Sequence, residues 1–201
     1  MIKIYGDLIS GNCLKIKYVA DYLGLKYIWE SVDIMRKESR TDAYLALNPA
    51  GQVPMLQLDD GRALVQSNAI ILYLGEASEL LPSDSFERAL VNQWLFWEQY
   101  SHEPYVAVCR FVMLYEGKQK AEREGWRVGK GESALDLMEM HLAQHDWFVA
   151  NKLTLADISL LAYTRLAHEG GFDLRDRVNL KKWISRCEEE LNLDSAKVSS
   201  N

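Results

Sequence analysis

The first 75 residues combine strand-like and helix-like hydrophobic patterns. The apolar run IKIY (2–5) predicts a strand, and the segment KYIWESVDI (26–34) predicts a second one. Between them, apolar residues recur at helical spacing up to Gly24, which is typical of a helix C-terminus. These residues are Ile16, Val19, Ala20 and Leu23. Because a helix of about a dozen residues separates the two strands, we expect them to be parallel.

A short helix and a hairpin follow. Thr41 is placed to cap the helix DAYLAL, which must end before Pro49 because proline disfavours helical geometry in the residue preceding it. The segments PMLQL and ALVQ flank the turn signal Asp60-Gly61 and predict a β-hairpin. Ser67 precedes the apolar run AIILYL and is predicted to cap a third helix. The order β-α-β-α-β-β-α, with two parallel strands and an antiparallel hairpin, indicates a thioredoxin-like sheet domain.

The rest of the chain is predicted to be helical. The polar segment GEASELLPSDSFE predicts a linker, and after Arg88 helical patterns replace the strand signals. Pro104 should break or kink the long helix that begins there, and the tail DSAKVSSN is expected to be disordered. We assign residues 1–76 to an α+β thioredoxin-like domain, 77–87 to a linker and 88–201 to an all-α helical bundle domain.

Charge and cysteine spacing exclude several classes of function. A net charge of −6 argues against nucleic acid as the main partner. The longest apolar run (69–74) is too short to span a membrane, and the start MIKIYGD lacks the apolar stretch of a signal peptide. The cysteines are far apart and form no CxxC pair, so we expect neither disulfides nor a zinc site, and a cytoplasmic location. They are Cys13, Cys109 and Cys187.

The motif NPAGQVPML is suited to peptide binding. Pro54 stands at the start of a predicted strand, a position that proline tolerates because it has no N–H to donate to the hydrogen bonds inside a sheet. A cis bond between Val53 and Pro54 would expose the Val53 backbone, which could then pair with an extended peptide. Residue type alone favours the trans bond.

The motif QSNAIILYL is suited to binding a carboxylate and an amine. The Ser67 hydroxyl and the first N–H groups of the helix behind it can hold a carboxylate. Gln66 could hold an amine beside it. A serine that merely caps the helix would give the same pattern.

The motif SGNCLK (10–15) is suited to stabilising a thiolate. Ser10 and Asn12 lie where a predicted strand gives way to a helix. Lowering a thiol pKa from about 8.5 to about 6.5 requires about 2.7 kcal/mol. A hydrogen bond to a charged group contributes about 1.5–3 kcal/mol and a helix N-terminus about 0.3–1 kcal/mol. One donor and the helix therefore suffice, although a plain helix cap again explains the residue types.

Taken together, the three motifs and their order resemble the glutathione transferase superfamily of bacterial type, over nearly the whole chain. NPAGQVPML followed by QSNAIILYL looks like the glutathione-binding signature of that family. LTLADISL looks like the capping box of its helical domain, with Thr154 as the cap and Asp157 at the third helical position. The resemblance implies glutathione as co-substrate, no metal, and a homodimer in which each N-terminal domain pairs with the partner's helical domain.

The resemblance also assigns residues to parts of glutathione. Ser67 and Gln66 would hold the γ-glutamyl end and the Val53 backbone the cysteinyl part, with Pro54 in a cis bond. Gln52 would lie near the cysteinyl–glycine end. A basic group of RKESR (36–40) could reach the glycine carboxylate, although this run is equally typical of a solvated surface.

The sulfur-binding residue remains open between two candidates. Ser10 matches the serine of the theta, delta and zeta classes, whereas S-G-N-C-L-K-I also resembles the T-P-N-G-x-K-I pattern of the nu class, in which the asparagine contributes to binding the sulfur. We favour Ser10, with Asn12 beside it. Cys13 falls on the glycine of the nu pattern and ranks third, and Tyr5 lies inside the first strand.

The helical domain supplies candidates for the electrophile pocket. In the family this region lines the pocket, and we expect Tyr105 and Arg110, near Pro104, to contribute. Residues of two kinked helices that only pack together would show the same pattern. His141 and His145 have metal-pair spacing but lack a third ligand, so we expect no metal there.

The sequence supports a leading function and two alternatives. The leading hypothesis is an enzyme, a glutathione transferase that holds reduced glutathione as the thiolate and conjugates it to a small electrophile. The nu-like pattern suggests a glutathione-dependent disulfide oxidoreductase instead. A non-catalytic binding or scaffold protein with the same fold is the third hypothesis. The identity of the electrophile cannot be deduced from the residues.

Overall fold

A computed structural model describes residues 1–194 of the chain. The chain forms two compact units, Met1–Glu79 and Leu80–Asn201, and each is described here by itself. The prediction of a disordered tail concerns residues that, apart from Asp194, lie outside those the structure describes.

Unit 1 is built on one mixed sheet with the strand order β2-β1-β3-β4. Strands β1 and β2 are parallel, whereas β3 is antiparallel to both β1 and β4, so the predicted crossover and hairpin are confirmed. The strands are β1 (Ile2–Gly6), β2 (Tyr27–Ser31), β3 (Met55–Gln57) and β4 (Ala63–Val65). The helices are α1 (Gly11–Tyr22), α2 (Asp42–Leu47) and α3 (Ser67–Gly75), with a 3₁₀ turn at Glu38–Arg40.

Local signals explain most of these boundaries. The Thr41 hydroxyl accepts a hydrogen bond from the Tyr44 backbone N–H at 3.4 Å, so the predicted cap of α2 is confirmed. Gly24 follows α1 with φ +62°, and Gly61 stands in the hairpin turn with φ +87°. Both values lie in the left-handed region that glycine adopts most easily.

The predicted start of α3 is wrong by one residue. Gln66, not Ser67, is the N-cap of this helix, because its carbonyl accepts the first intrahelical bond, from the Ile70 N–H at 3.0 Å. Gln66 adopts φ 72° and ψ 112°, an uncommon conformation for a residue with a side chain. Ser67 therefore lies in the first turn, and its hydroxyl is available for contacts outside the helix.

Unit 2 consists of helices and connecting turns over the described residues. A π-helical turn, Glu98–His102, interrupts the first long helix just before Pro104, which confirms the predicted break. The first helix starts at Ser85, within the predicted linker, because Asp84 accepts hydrogen bonds from two N–H groups of its first turn. The helices are α4 (Ser85–Trp97), α5 (Glu103–Leu114), α6 (Gly125–Leu142), α7 (Leu155–Thr164) and α8 (Val178–Glu190).

A buried carboxylate organises the core of unit 2. Asp157 accepts hydrogen bonds from the Thr154 N–H at 3.0 Å and the Thr154 hydroxyl at 2.8 Å, which confirms the predicted capping box. It also accepts from the Phe148 N–H at 3.1 Å and from the Trp183 indole N–H at 2.9 Å. Burial raises the pKa of Asp157 to about 6, although these donors oppose the shift. One side chain thus joins α7, α8 and the segment before α7.

We predict that Asp157→Asn destabilises the chain. An amide N–H₂ would replace one carboxylate oxygen and face donors instead of accepting from them, so the free energy of unfolding should fall by about 2–4 kcal/mol. Urea unfolding measures the loss. The matched control is Asp84→Asn, where asparagine caps as well as aspartate and the change should stay within about 0.5 kcal/mol. Equal losses in the two variants would contradict the prediction.

Candidate functional site

The N-termini of α1 and α3 lie side by side in unit 1. The two helices pack against each other, and the Ser67 hydroxyl donates to Asn12 Oδ1 at 2.9 Å. Ser10 is the N-cap of α1, and Gln66 is the N-cap of α3. The structure therefore brings together the residues that the sequence assigns to the sulfur and to the γ-glutamyl end of glutathione.

Ser10 and Asn12 have different surroundings. The Ser10 carbonyl accepts from the Cys13 and Leu14 N–H groups at 3.1 and 3.0 Å, but its hydroxyl hydrogen-bonds the Cys13 thiol instead of capping the helix. Asn12 lies two residues further along the chain, and its side-chain oxygen accepts a hydrogen bond from Ser67. The two donors are thus fixed by separate partners.

Cys13 is shielded from reaction. Its side chain is fully buried and accepts a hydrogen bond from the Asp7 N–H at 3.4 Å. Burial raises the pKa of the thiol to about 11, and its hydrogen bonds with Ser10 and with the Asp7 N–H only partly oppose this. The thiol therefore stays protonated near neutral pH, where it is a poor nucleophile.

Lys15 is part of this site, although sequence reasoning gave it no role. Its side chain is fully buried, and Nζ lies 3.5 Å from Ser67 Oγ and 3.3 Å from Asn68 Oδ1. The available signal was its spacing: three residues after Asn12 in a helix, it lies on the same face. Because that side of the helix also carries the apolar residue Ile16, which is buried, a lysine there indicates a polar contact inside the domain.

The loop before β3 forms a second part of the site. The Val53-Pro54 bond is cis, which confirms the prediction from the family resemblance. The carbonyl of Gln52 accepts from the Tyr44 hydroxyl and from Asn48 Nδ2, each at 2.7 Å. These bonds fix the backbone immediately before the cis bond.

Arg40 lies against the same loop. Its Nη1 donates to the Ala50 carbonyl at 3.0 Å. Gly51, with φ +60°, allows this approach, because a Cβ there would lie 2.5 Å from Nη1. The basic run RKESR therefore places one guanidinium beside Ala50 and Gly51.

The two residues expected in the electrophile pocket differ in their environments within unit 2. Arg110 is buried and its Nε donates to Glu169 Oε2 at 2.6 Å. Tyr105 is half-buried and contacts the Trp126 ring edge-on, with the centroids 6.2 Å apart. The ion pair commits Arg110 to a contact inside the helical unit, whereas Tyr105 is partly accessible.

His141 and His145, which have the spacing of a metal pair, lie near the C-terminal end of α6 and just after it. The rings of His141 and His145 stack with centroids 4.4 Å apart. Within residues 1–194, no group of three or more His, Cys, Asp or Glu side chains is arranged to hold a metal ion. Over the same residues, every helix is too short or too polar to cross a membrane.

Comparison with known proteins matches the fold and the order of the motifs. Residues 9–77 match the family described as glutathione S-transferase, N-terminal domain, and residues 101–190 match glutathione S-transferase, C-terminal domain. Glutathione S-transferase 2 of Anopheles gambiae is 30% identical over 181 residues, which cover 87% of this chain and 84% of that protein.

Solved structures give the same result. A glutathione S-transferase from Pseudomonas fluorescens Pf-5 has 46% identity and a TM-score of 0.89, covering 93% of this chain and 94% of that one. A glutathione S-transferase from Xanthobacter autotrophicus Py2 has 39% identity and a TM-score of 0.89, covering 94% and 93%. The chain thus belongs to the glutathione S-transferase family of enzymes.

Proposed function

We propose that this enzyme binds reduced glutathione in unit 1, holds its sulfur as a thiolate and conjugates it to a small electrophile. One observation carries the proposal: the hydrogen bond of 2.9 Å that joins Ser67, at the start of α3, to Asn12, at the start of α1. It links the residue proposed for the γ-glutamyl end to a residue proposed for the sulfur. The alignment of both motifs with the family supports glutathione as the co-substrate.

The γ-glutamyl end is proposed to bind at the start of α3. A helix N-terminus presents N–H groups and partial positive charge, which suit a carboxylate. Ser67 lies in this first turn, and Gln66 precedes it with an amide that can accept from the γ-glutamyl ammonium.

The remainder of the tripeptide is proposed to follow the loop before β3. The Val53 backbone would pair with the cysteinyl part, next to the cis bond to Pro54. Gln52 would lie near the cysteinyl–glycine end. The Arg40 guanidinium, which reaches Ala50, is the proposed partner of the glycine carboxylate.

The sulfur is proposed to lie at the start of α1. Ser10 would donate its hydroxyl to the thiolate and Asn12 would add an amide N–H. One hydrogen bond to the charged sulfur contributes about 1.5–3 kcal/mol and the helix about 0.3–1 kcal/mol. The sum matches the roughly 2.7 kcal/mol needed to lower a thiol pKa by two units.

The electrophile is proposed to contact unit 2 through Tyr105. The ion pair with Glu169 supports a structural role for Arg110, which joins α5 to the 3₁₀ turn Ala167–Gly170. We propose a cytoplasmic location as well, on the basis of the unpaired cysteines.

A glutathione-dependent disulfide oxidoreductase is the second candidate. The contact between Asn12 and Ser67 favours it, because Asn12 is the residue of the nu-like pattern. Turnover of a mixed disulfide with glutathione, together with little conjugation of aromatic halides, would identify this activity.

We predict that isothermal titration with reduced glutathione shows one site per chain at millimolar or lower concentration. The dipeptide cysteinylglycine, which lacks the γ-glutamyl group, should bind at least about tenfold more weakly because it leaves the start of α3 unused. Absence of heat with glutathione would favour a non-catalytic scaffold. Equal affinity for the two peptides would contradict the binding mode at α3.

We predict that Ser10→Ala raises the pKa of the bound glutathione thiol by about 1–2 units, because the thiolate loses a hydrogen bond. Turnover near neutral pH should fall and should recover as the pH rises. Thiolate absorbance of each complex, followed against pH, measures the shift. Asn12→Ala should have a smaller effect, and Cys13→Ala is the control with the smallest, since its own thiol stays protonated. If only Asn12→Ala moves the titration, Ser10 is not the principal donor.

We predict a homodimer with a mass about twice the 23.1 kDa of the chain. Apolar residues of both units are exposed and would be covered by a second copy: Tyr73 is 52% exposed in unit 1, and Phe96 is 75% exposed in unit 2. Light scattering should show the dimer, and Phe96→Glu should dissociate it. The control is Met140→Glu on α6, where the residue is equally exposed, at 73%, and is not one of the residues that we assign to the interface. A monomer mass at micromolar concentration for the unchanged chain would contradict the prediction.

A further inference from the structure

A cleft of about 300 Å³ opens in unit 2, between the C-terminal end of α6 and helix α8. This volume lies at the lower end of the range for small-molecule sites. The buried side chains of Leu142 and Trp183 form part of its lining, and polar side chains form most of the rest. None of the residues proposed to bind glutathione or the electrophile lines it, so a ligand of this cleft would bind outside those two sites.

The cleft is locally positive, although the chain has a net charge of −6. Lys182 and Arg186 line it from α8, one helical turn apart, and Asp146 is the only carboxylate among the described residues of its lining. Arg186 donates from Nη2 to Asp146 Oδ1 at 2.9 Å and from Nη1 to the Asp146 carbonyl oxygen, so these two charges offset each other. Within residues 1–194, the Lys182 ammonium has no hydrogen-bond or ion-pair partner. One positive charge is therefore left over for a ligand.

His145 adds a second donor to the cleft when its ring is protonated. Its Nδ1 lies 3.0 Å from the His141 carbonyl oxygen, which can only accept, so Nδ1 carries a proton and Nε2 is the atom that gains one. The two rings stack with centroids 4.4 Å apart, and burial, together with the charge of His145, lowers the pKa of His141. The added proton therefore goes to His145. The other charged groups of the described lining are Lys182 and the ion pair of Asp146 with Arg186.

We propose that this cleft binds a tetrahedral oxyanion, the phosphate group of a small hydrophilic molecule, through Lys182 and the protonated ring of His145. A lysine ammonium binds phosphate as a point charge, whereas a planar carboxylate is recognised best by the two parallel donors of an arginine. Nη1 and Nη2 of Arg186 already bind Asp146, so this arginine does not offer such a pair. The polar lining suits a hydrophilic ligand. The inference goes beyond the proposed conjugation and does not depend on it.

The experiment is a titration of the isotopically labelled chain with sulfate, followed by NMR at constant ionic strength, which keeps the screening of surface charges fixed. Reduced glutathione is present throughout, so that anions do not bind at its proposed site. Sulfate replaces phosphate because its charge stays constant over roughly pH 6–8, the range in which histidine titrates. Amide signals of residues 142–146 and 179–186, which include the lining, should shift and saturate with a Kd of about 10 mM or tighter. Shifts that do not saturate, or that saturate only elsewhere, would overturn the proposal.

Two neighbouring lysines give a matched pair of variants. Lys182→Ala should weaken sulfate binding at least about tenfold, because it removes the charge that has no partner in the cleft. Lys181→Ala is the control, since Lys181 precedes Lys182 on α8 and does not line the cleft, and it should change the Kd less than about twofold. Equal losses in the two variants would assign the binding to diffuse surface charge and overturn the proposal. Conjugation of glutathione should be unchanged in both, because neither residue belongs to its proposed site.

The role of His145 and the shape of the anion are tested separately. The unchanged chain should bind sulfate at least about threefold more tightly near about pH 6 than near about pH 8, because protonation adds a donor and a charge. His145→Gln should remove this difference, and a difference that survives in the variant would overturn the role of His145. Acetate should bind at least about threefold more weakly than sulfate. Equal or tighter binding of acetate would overturn the assignment to phosphate and identify the cleft as a carboxylate site.

Discussion

Two helix N-termini and a buried ammonium concentrate positive charge in one small region of unit 1. The N-termini of α1 and α3 each present N–H groups that have no partner within the helix, together with partial positive charge, and Lys15 adds a full charge between them. Such a cluster repels itself, so packing must hold it together. Ile16 on α1 and Ile70 on α3 are fully buried and supply that packing. The free energy of folding therefore offsets this repulsion, and the site is assembled before any anionic ligand binds.

In the proposed binding mode, the same arrangement would couple the two ends of the tripeptide. Asn12 and Ser67 are 55 residues apart in the chain, and one hydrogen bond joins them. A ligand that contacts the start of α3 therefore contacts the group that holds Asn12 in position. Recognition of one end and ionisation at the other would then share a short chain of donors and acceptors.

Sequence patterns predicted the fold well because local rules and hydrophobic periodicity agree. The β1-α1-β2 crossover, the cap at Thr41 and the capping box at Asp157 each follow from residues a few positions apart. Other features depend on distant or unusual geometry. Gln66 adopts a positive φ, which its residue type gives no reason to expect. Arg110 forms an ion pair with Glu169, which is 59 positions away in the chain. Lys15 was missed because lysine is almost never fully buried, so composition rules assign it to the surface.

Three groups within SGNCLK can interact with sulfur: the Ser10 hydroxyl, the Asn12 amide and the Cys13 thiol. Of these, only the Cys13 side chain is fully buried, and this burial gives it a different function from the other two. The Cys13 thiol lies against the end of β1, where a Cβ on Gly6 would stand 3.0 Å from its sulfur. Glycine at position 6 thus permits the tight packing that desolvates the thiol and raises its pKa to about 11. The thiol also accepts a hydrogen bond from the Asp7 N–H, so it helps to shape the start of α1 without reacting. A cysteine one residue from Asn12 is therefore compatible with chemistry on an external thiol, since only the ligand's sulfur would meet donors outside the apolar core.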